Sequence, residues 1–286
     1  MKSNLVIYDA DPDGFGSAYA AWHALGTEDT HYMETLHGSD LPDDAFGYEN
    51  VYILDLSFPL EDYDSLLSAG SKVTVIDHHP SAKRDIESRR LNPAPFDTTT
   101  AACEQAWRFF NPYEDVPSLL LYVGDRDTWK FELPYSDAIN AYIYTLPQTF
   151  NSWQQGNLDI TYSWNTVLQI GRALVAYREK LVMEMVEDAT VVDWQGFYDV
   201  PFVGAPVLWS EVGHLLLDNW PDAPFSVTFK DYTAEGYRKY SLRSEDHRLD
   251  VGHLAKQYGG GGHHNAAGFK RPLEEIWKEG YAAIND

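Results

Sequence analysis

Cysteine is almost absent: Cys103 stands alone in 286 residues, so no disulfide can form within the chain. A reducing compartment fits that, and a cytoplasmic protein is the expectation. No apolar run approaches the roughly 20 residues that a membrane-spanning helix needs, so no membrane partner is expected. Met1-Lys2-Ser3-Asn4 leads straight into a strand pattern, and no signal peptide is read there. Basic residues are scarce as well. Lys and Arg number 21 against 44 Asp and Glu, for a formal net charge of -23. Affinity for nucleic acid normally comes from Lys and Arg neutralising phosphates. So acidic a surface argues against a long duplex as partner, and is read first as a solubility or salt adaptation. It does not exclude a small anion, because divalent ions held in a site would reverse the local sign. No internal repeat is visible, and the only low-complexity stretch is a run of glycines.

Hydrophobic residues make up 44% of the chain, enough for packed cores, and the length suits two ordinary domains. Leu5–Tyr8, Val51–Leu54 and Lys72–Ile76 read as strands. Ser17–Leu25 and Leu60–Ala69 read as the helices between them, the second stopping at Gly70. Gly14-Phe15-Gly16 is expected to turn the chain. A short strand is expected near His31–Met33. This β-α-β alternation predicts a parallel sheet. Residues 80–97 read as loop, Thr98–Phe110 and Ser136–Tyr144 as helices, and Val116–Val123 as either helix or strand. Between Trp164 and Glu187 a proline-free pattern with Val167, Ile170, Leu174, Tyr177, Leu181 and Met185 on one stripe predicts a long helix. Beyond it, Val191–Trp194, Pro206–Trp209, Phe225–Lys230 and Lys239–Leu242 read as strands, and Val212–Asn219 and Val251–Tyr258 as helices. The expected fold class is therefore α/β. A parallel-sheet domain (1–158) is joined by a connecting helix (159–190) to a smaller α/β domain (191–286), with a site in the cleft between them.

The chemistry gathers at segment ends. Asp9, Asp11 and Asp13 follow the first apolar run, Asp55 follows the second, and Asp77-His78-His79 follows Val75-Ile76. Asp125 and Asp127 follow Leu119–Val123. Open α/β sheets place their sites beyond the carboxyl ends of their strands. Carboxylates and imidazoles without thiolates suit Mn²⁺ or Mg²⁺. Arg126 and Asp127 are expected to pair with each other. Trp129 and Phe131 could stack on a base, with core packing as the plainer reading. His23, His31, His37, His214, His247 and His253 are expected at the surface or in packing. In the second half, Gly259–Gly262 is either a hinge or a nest of N–H groups for an anion, and His263 with Ala266-Ala267 favours a packed, fixed loop.

These residues resemble the DHH phosphoesterase superfamily, in the form that carries a C-terminal DHH-associated domain. Asp77-His78-His79 matches the motif that names it. Asp9-Ala10-Asp11-Pro12-Asp13-Gly14 resembles its first motif, Asp55 its second and Asp125 its fourth. Ser241-Leu242-Arg243-Ser244 and Gly259–Gly268 resemble the two marks of the associated domain. One feature departs: where many members carry His four residues before Asp11, this chain has Ile7, and Asp9 instead gives the form seen in the single-strand exonuclease branch.

The resemblance implies a phosphodiesterase with two divalent ions, Mn²⁺ by preference and Mg²⁺ as the alternative. On that reading Asp9 and Asp11 hold one ion, Asp13, His78 and Asp125 the other, and Asp55 bridges them. Asp77 fixes the orientation of a ligand His, and His79 binds a phosphate oxygen or protonates the leaving oxygen. Arg243, Gly260, Gly261, Gly262 and His263 would bind substrate phosphate. The expected reaction is hydrolysis of short oligoribonucleotides, including linear dinucleotides such as pGpG, to mononucleotides, by a monomer or homodimer. The alternatives are a nucleotide phosphomonoesterase of the 3′-phosphoadenosine 5′-phosphate type, a single-strand exonuclease, and a protein that only binds a nucleotide signal.

Overall fold

The computed structural model describes residues 3–36 and 38–276. The chain divides into two compact units, Met1–Val175 and Ala176–Asp286.

The first unit begins with β1 (Asn4–Asp9), α1 (Pro12–Leu25), β2 (Thr30–Thr35), β3 (Asn50–Leu54), α2 (Leu60–Ser68) and β4 (Lys72–Ile76). The four strands form one sheet in the order β2-β1-β3-β4, parallel throughout. Side chains alternate along β1, and both faces are covered. Val6 and Tyr8 join a core with α1 and the later helices, while Leu5 and Ile7 join a second core with Tyr63 and Leu66 of α2. That is why the apolar runs show no polar face. Then follow α3 (Lys83–Arg89), α4 (Ala102–Phe110), α5 (Ser118–Asp127), α6 (Ser136–Ile143), α7 (Phe150–Tyr162) and α8 (Trp164–Glu187).

Several expectations are corrected here. Gly14 and Gly16 do not turn the chain; they lie inside α1, which starts at Pro12 with Asp11 as its cap. They are small because of close approach. A Cβ on Gly14 would sit 2.2 Å from the Asp9 carbonyl oxygen, and one on Gly16 2.9 Å from the Cys103 Cβ. Residues 80–97 contain α3, whose single buried apolar anchor, Ile86, leaves no periodicity to read. Val116–Val123 resolves to helix, so Asp125 and Asp127 lie in the last turn of α5 and not beyond a strand. Phe109, on α4, is 38% exposed. Helix α7 had no assignment from sequence; Thr149 caps it and Trp153, Gly156 and Ile160 are its buried residues.

The second unit takes the C-terminal part of α8 and adds β5 (Thr190–Trp194), β6 (Phe197–Gly204), α9 (Trp209–Asn219), β7 (Ser226–Tyr232), β8 (Tyr237–Arg243), α10 (Val251–Lys256), β9 (Gly261–Gly262) and β10 (Ala266–Pro272). Its sheet order is β5-β6-β7-β8-β10-β9, with only β6 and β7 parallel. The strand expected at Pro206–Trp209 lies instead at β6; Trp209 opens α9, and its indole Nε1 donates to the Ala205 carbonyl at 2.7 Å. Strand β10 was not anticipated, because Ala266-Ala267-Gly268 lacks the branched and aromatic residues that mark strands. Among the described residues no helix is long and apolar enough to cross a membrane.

Candidate metal centre

The register of the parallel sheet builds the centre. Tyr8 pairs with Leu54, and Leu54 with Ile76. The next residues along the three strands are Asp9, Asp55 and Asp77, so one row of the sheet delivers three carboxylates. Asp55 adopts φ +62, a left-handed conformation unfavourable for a residue with a Cβ. Its N–H donates to the Ile76 carbonyl at 2.8 Å, which ties the bend to β4.

The start of α1 supplies the next two carboxylates. The Asp11 side chain caps α1, accepting from the Gly14 N–H at 2.9 Å. Asp13, 1% exposed, accepts from the N–H groups of Ala102 and Cys103 at 2.8 and 2.9 Å, the unpaired donors at the start of α4. It thus locks α1 to α4. Cys103, beside it, has its thiol pushed well up by burial and by the Asp13 charge.

His78 is buried, and its Nε2 faces three carboxylates: Asp127 at 3.4 Å, Asp55 at 3.5 Å and Asp13 at 3.8 Å. Ligand atoms of Asp13, His78 and Asp127 lie within 4.8 Å of one another. The same holds for Asp9, Asp11 and Asp55, and for Asp55, Asp77 and His79. Asp55 is common to two of these groups. Its Oδ1, the atom 3.5 Å from His78 Nε2, is buried and makes no hydrogen bond, and neither does the Oδ2 of Asp77. Burial first, then the charges of Asp13 and Asp11, push the Asp55 carboxyl well above its usual range. Burial and Asp13 also raise Asp11. So many acceptors with so few donors fit hard divalent cations, which would supply the missing positive charge.

Asp77 behaves differently. Its Oδ1 accepts from the His79 N–H at 3.0 Å and from His79 Nδ1 at 2.7 Å. Burial opposes the charge on both partners, but their mutual attraction prevails: Asp77 is held below the usual carboxylate range and His79 is pushed up to about 9.

The structure separates two residues that sequence placed the other way round. Asp125 stands outside the cluster. Its carboxylate accepts from the N–H groups of Glu132 and Leu133 at 2.9 and 3.1 Å, and is thereby committed to the turn after α5. Asp127, expected to pair with Arg126, is the member of α5 that reaches His78. The signal available was helical spacing: two residues apart on a helix means nearly opposite faces. Arg126 lies over the rings of Trp129 and Tyr144, at 5.7 and 4.7 Å from their centroids.

In the second unit, Arg243 ends β8. Its Nη2 donates to the Ser210 hydroxyl at 2.6 Å, and its Nη1 to the Ser241 hydroxyl and the Leu242 carbonyl at 3.1 and 2.8 Å. Gly213 of α9 gives its side chain room, since a Cβ there would lie 2.6 Å from the Arg243 Cγ. Arg243 pairs with Ala266, and Gly262 with Ala267, so adjacent strands bring the arginine and the glycine segment together. The His263 N–H donates to the Ala266 carbonyl at 2.7 Å, closing a tight turn. Gly262 has φ +136, and a Cβ on Gly260 would meet the Gly268 carbonyl oxygen at 2.1 Å. The glycines serve close packing between strands, as in a fixed loop. Ser210 was not singled out from sequence, and His214 was expected at the surface or in packing. Burial, and then the Arg243 charge, hold His214 down at about 4. Of the remaining histidines, His23 and His31 bond to Asn111 and Tyr48, and His37 lies outside the described residues.

Fold and centre together define a two-unit α/β protein with an acidic, imidazole-containing candidate metal centre at the strand tips of its parallel sheet. The fold is that of DHH-domain proteins. A DHH domain from a member of a family of ribosomal proteins superposes with a TM-score of 0.65 at 15% identity, over 99% of this chain and 86% of that one. RecJ from Thermus thermophilus, in complex with Mn²⁺, superposes with a TM-score of 0.51 at 15% identity, over 98% of this chain and 51% of that one. In sequence, an uncharacterized protein of Acanthamoeba polyphaga mimivirus is 26% identical over 279 residues. That match takes in 90% of this chain and 64% of the viral protein, so the chain spans less than two thirds of its relative's length. No protein-family model matches the chain.

Proposed function

We propose that the chain is a phosphodiesterase dependent on two divalent ions, Mn²⁺ by preference, that hydrolyses short oligoribonucleotides, including linear dinucleotides such as pGpG, to mononucleotides. The observation that carries this reading is Asp55: a buried carboxylate on a strained bend, with an oxygen that makes no hydrogen bond, common to two groups of potential ligands. Asp9 and Asp11 would hold one ion and Asp13, His78 and Asp127 the other, with Asp55 between them. Asp127 takes the place that the resemblance gave to Asp125. The Mn²⁺ in the RecJ neighbour agrees with this choice of metal. When bound, the ions supply Lewis-acid polarisation of a phosphoryl oxygen and a water of lowered pKa.

The chain's own groups do the rest. Asp77 accepts a hydrogen bond from His79 Nδ1, which leaves the other ring nitrogen to meet a phosphate oxygen or to protonate the leaving oxygen. Arg243, Gly260, Gly261, Gly262 and His263 bind a substrate phosphate, since a guanidinium can pair with it bidentately. The net charge of -23 favours short substrates over long polyanions. The single cysteine, fully buried, accords with a cytoplasmic setting.

The test is a panel of 5′-labelled RNAs of about two to twenty nucleotides, with cyclic dinucleotides, in the presence of Mn²⁺; a two-nucleotide substrate is the shortest that a diesterase can cut. The expected result is fastest cleavage of the shortest linear substrates, abolished by EDTA. Full activity in excess chelator, or preference for the longest strands, would overturn the reading.

A further inference from the structure

Trp129, Phe131 and Tyr135 have φ of +56, +51 and +58, so three bulky residues within one short stretch hold a left-handed backbone. Such conformations persist only where surrounding structure over-determines them, and they cluster at functional sites. Here the determinant is Asp125. Its carbonyl accepts from the N–H groups of Lys130 and Phe131 at 2.9 and 3.3 Å, and its carboxylate from those of Glu132 and Leu133. The Lys130 ammonium is anchored on the Thr99 carbonyl at 2.6 Å. A turn built so firmly for core packing would bury its rings, yet Trp129 is 38% exposed. The Phe131 ring stands edge-on to it with centroids 4.9 Å apart. Arg126 lies over Trp129 and over Tyr144, which is 54% exposed. Arg126 immediately precedes Asp127, whose carboxylate lies 3.4 Å from His78 Nε2, so this patch borders the centre.

From this geometry we propose that the turn after α5 is a nucleobase platform: Trp129 stacks on a base of the substrate, Arg126 contacts its phosphate, and Asp125 positions the turn. The inference deepens the phosphodiesterase reading and rests on it. A platform of this kind suits so acidic a chain, because stacking adds affinity for every base without requiring a basic surface. An arginine held against ring faces keeps its charge and its donors.

The test compares binding of GMP and ribose 5-phosphate in the presence of Mn²⁺, by calorimetry. Trp129→Gly removes the ring and suits the backbone, since glycine adopts positive φ without penalty. Wild type is expected to bind GMP at least ~10-fold more tightly than ribose 5-phosphate. Trp129→Gly should erase that difference by weakening GMP alone, and Trp129→Phe should keep most of it. Arg126→Ala should weaken both ligands alike. An unchanged GMP advantage in Trp129→Gly overturns the platform, as does wild type binding the two ligands equally or neither. Failure of the hydrolytic reading looks different: wild type would keep its base-dependent binding and cut none of the RNA panel.

Discussion

Asp55 concentrates the tension of the first unit in one side chain: positive φ, 2% exposure, and an oxygen that makes no hydrogen bond. Asp55→Ala or His78→Ala should lower kcat at least ~10³-fold on a dinucleotide while circular dichroism stays native, since each removes part of the clamp on the transition state. Asp127→Asn should fall in the same class. Asp125→Asn should act mainly through the turn, costing about 1–3 kcal/mol in urea unfolding through weakened acceptance of two backbone donors. The charge has its own signature. The folded pKa of Asp55 lies above the unfolded value of about 3.9, so with chelator present the folded state binds the extra proton between those two values. Stability in EDTA should therefore fall as pH rises through that window. Asp55→Asn should flatten the trend in urea midpoints measured upward from about pH 4.

At the scale of elements, the β1–α1 connection matters most, because three carboxylates and two helix starts depend on it. Gly14→Ala would drive a Cβ into the Asp9 carbonyl at 2.2 Å, so α1 and β1 must part. We expect at least ~10²-fold loss of kcat, as displacement of catalytic groups by about 1 Å can produce, together with a lowered Tm. Helix α9 carries a second, separable effect. His214 is held neutral, its folded value of about 4 lying below the unfolded value near 6.5. The unfolded chain takes up a proton in that interval that the folded chain refuses. Stability should drop as pH falls from about 6.5 to 4 and level off below, and His214→Asn should reduce the drop in urea titrations at successive pH values.

Over the whole molecule, the acidic charge and the crowded centre pull the same way: bound cations should stabilise the folded chain. At about 100 times the dissociation constant, Mn²⁺ should add roughly 2.7 kcal/mol to unfolding, and EDTA should remove it. Calorimetric scans with and without Mn²⁺ check this, and an unchanged Tm would count against any tight metal site. The two compact units each have their own sheet and cores, so the shift belongs to the transition that reports the first unit.

The strands of the parallel sheet, and the carboxylates at their tips, were legible in the sequence because both are local. A buried parallel strand is a short apolar run, and whatever follows it stands at its carboxyl end. Asp9, Asp55, Asp77 and His78 could be placed on that basis, and the long helix was readable from its periodicity, although Ile170 and Tyr177 of the expected stripe are 42% and 63% exposed and Leu168, Val182 and Val186 are buried instead. Other features depend on contacts between segments distant in the chain. Whether Val116–Val123 is helix or strand is settled by the partners it packs against, and with it which of Asp125 and Asp127 faces His78. Asp13 finds its donors 89 and 90 residues further on, at the start of α4. Gly14 and Gly260 look like turn residues in sequence, and only the strand each presses against shows why a side chain would not fit. Strand β10, with its Ala-Ala-Gly start, is held by its neighbours β8 and β9 and not by its own propensity. Sequence determined which groups could form the centre; tertiary packing decided which ones meet, because burial and register belong to pairs of segments and not to any one of them.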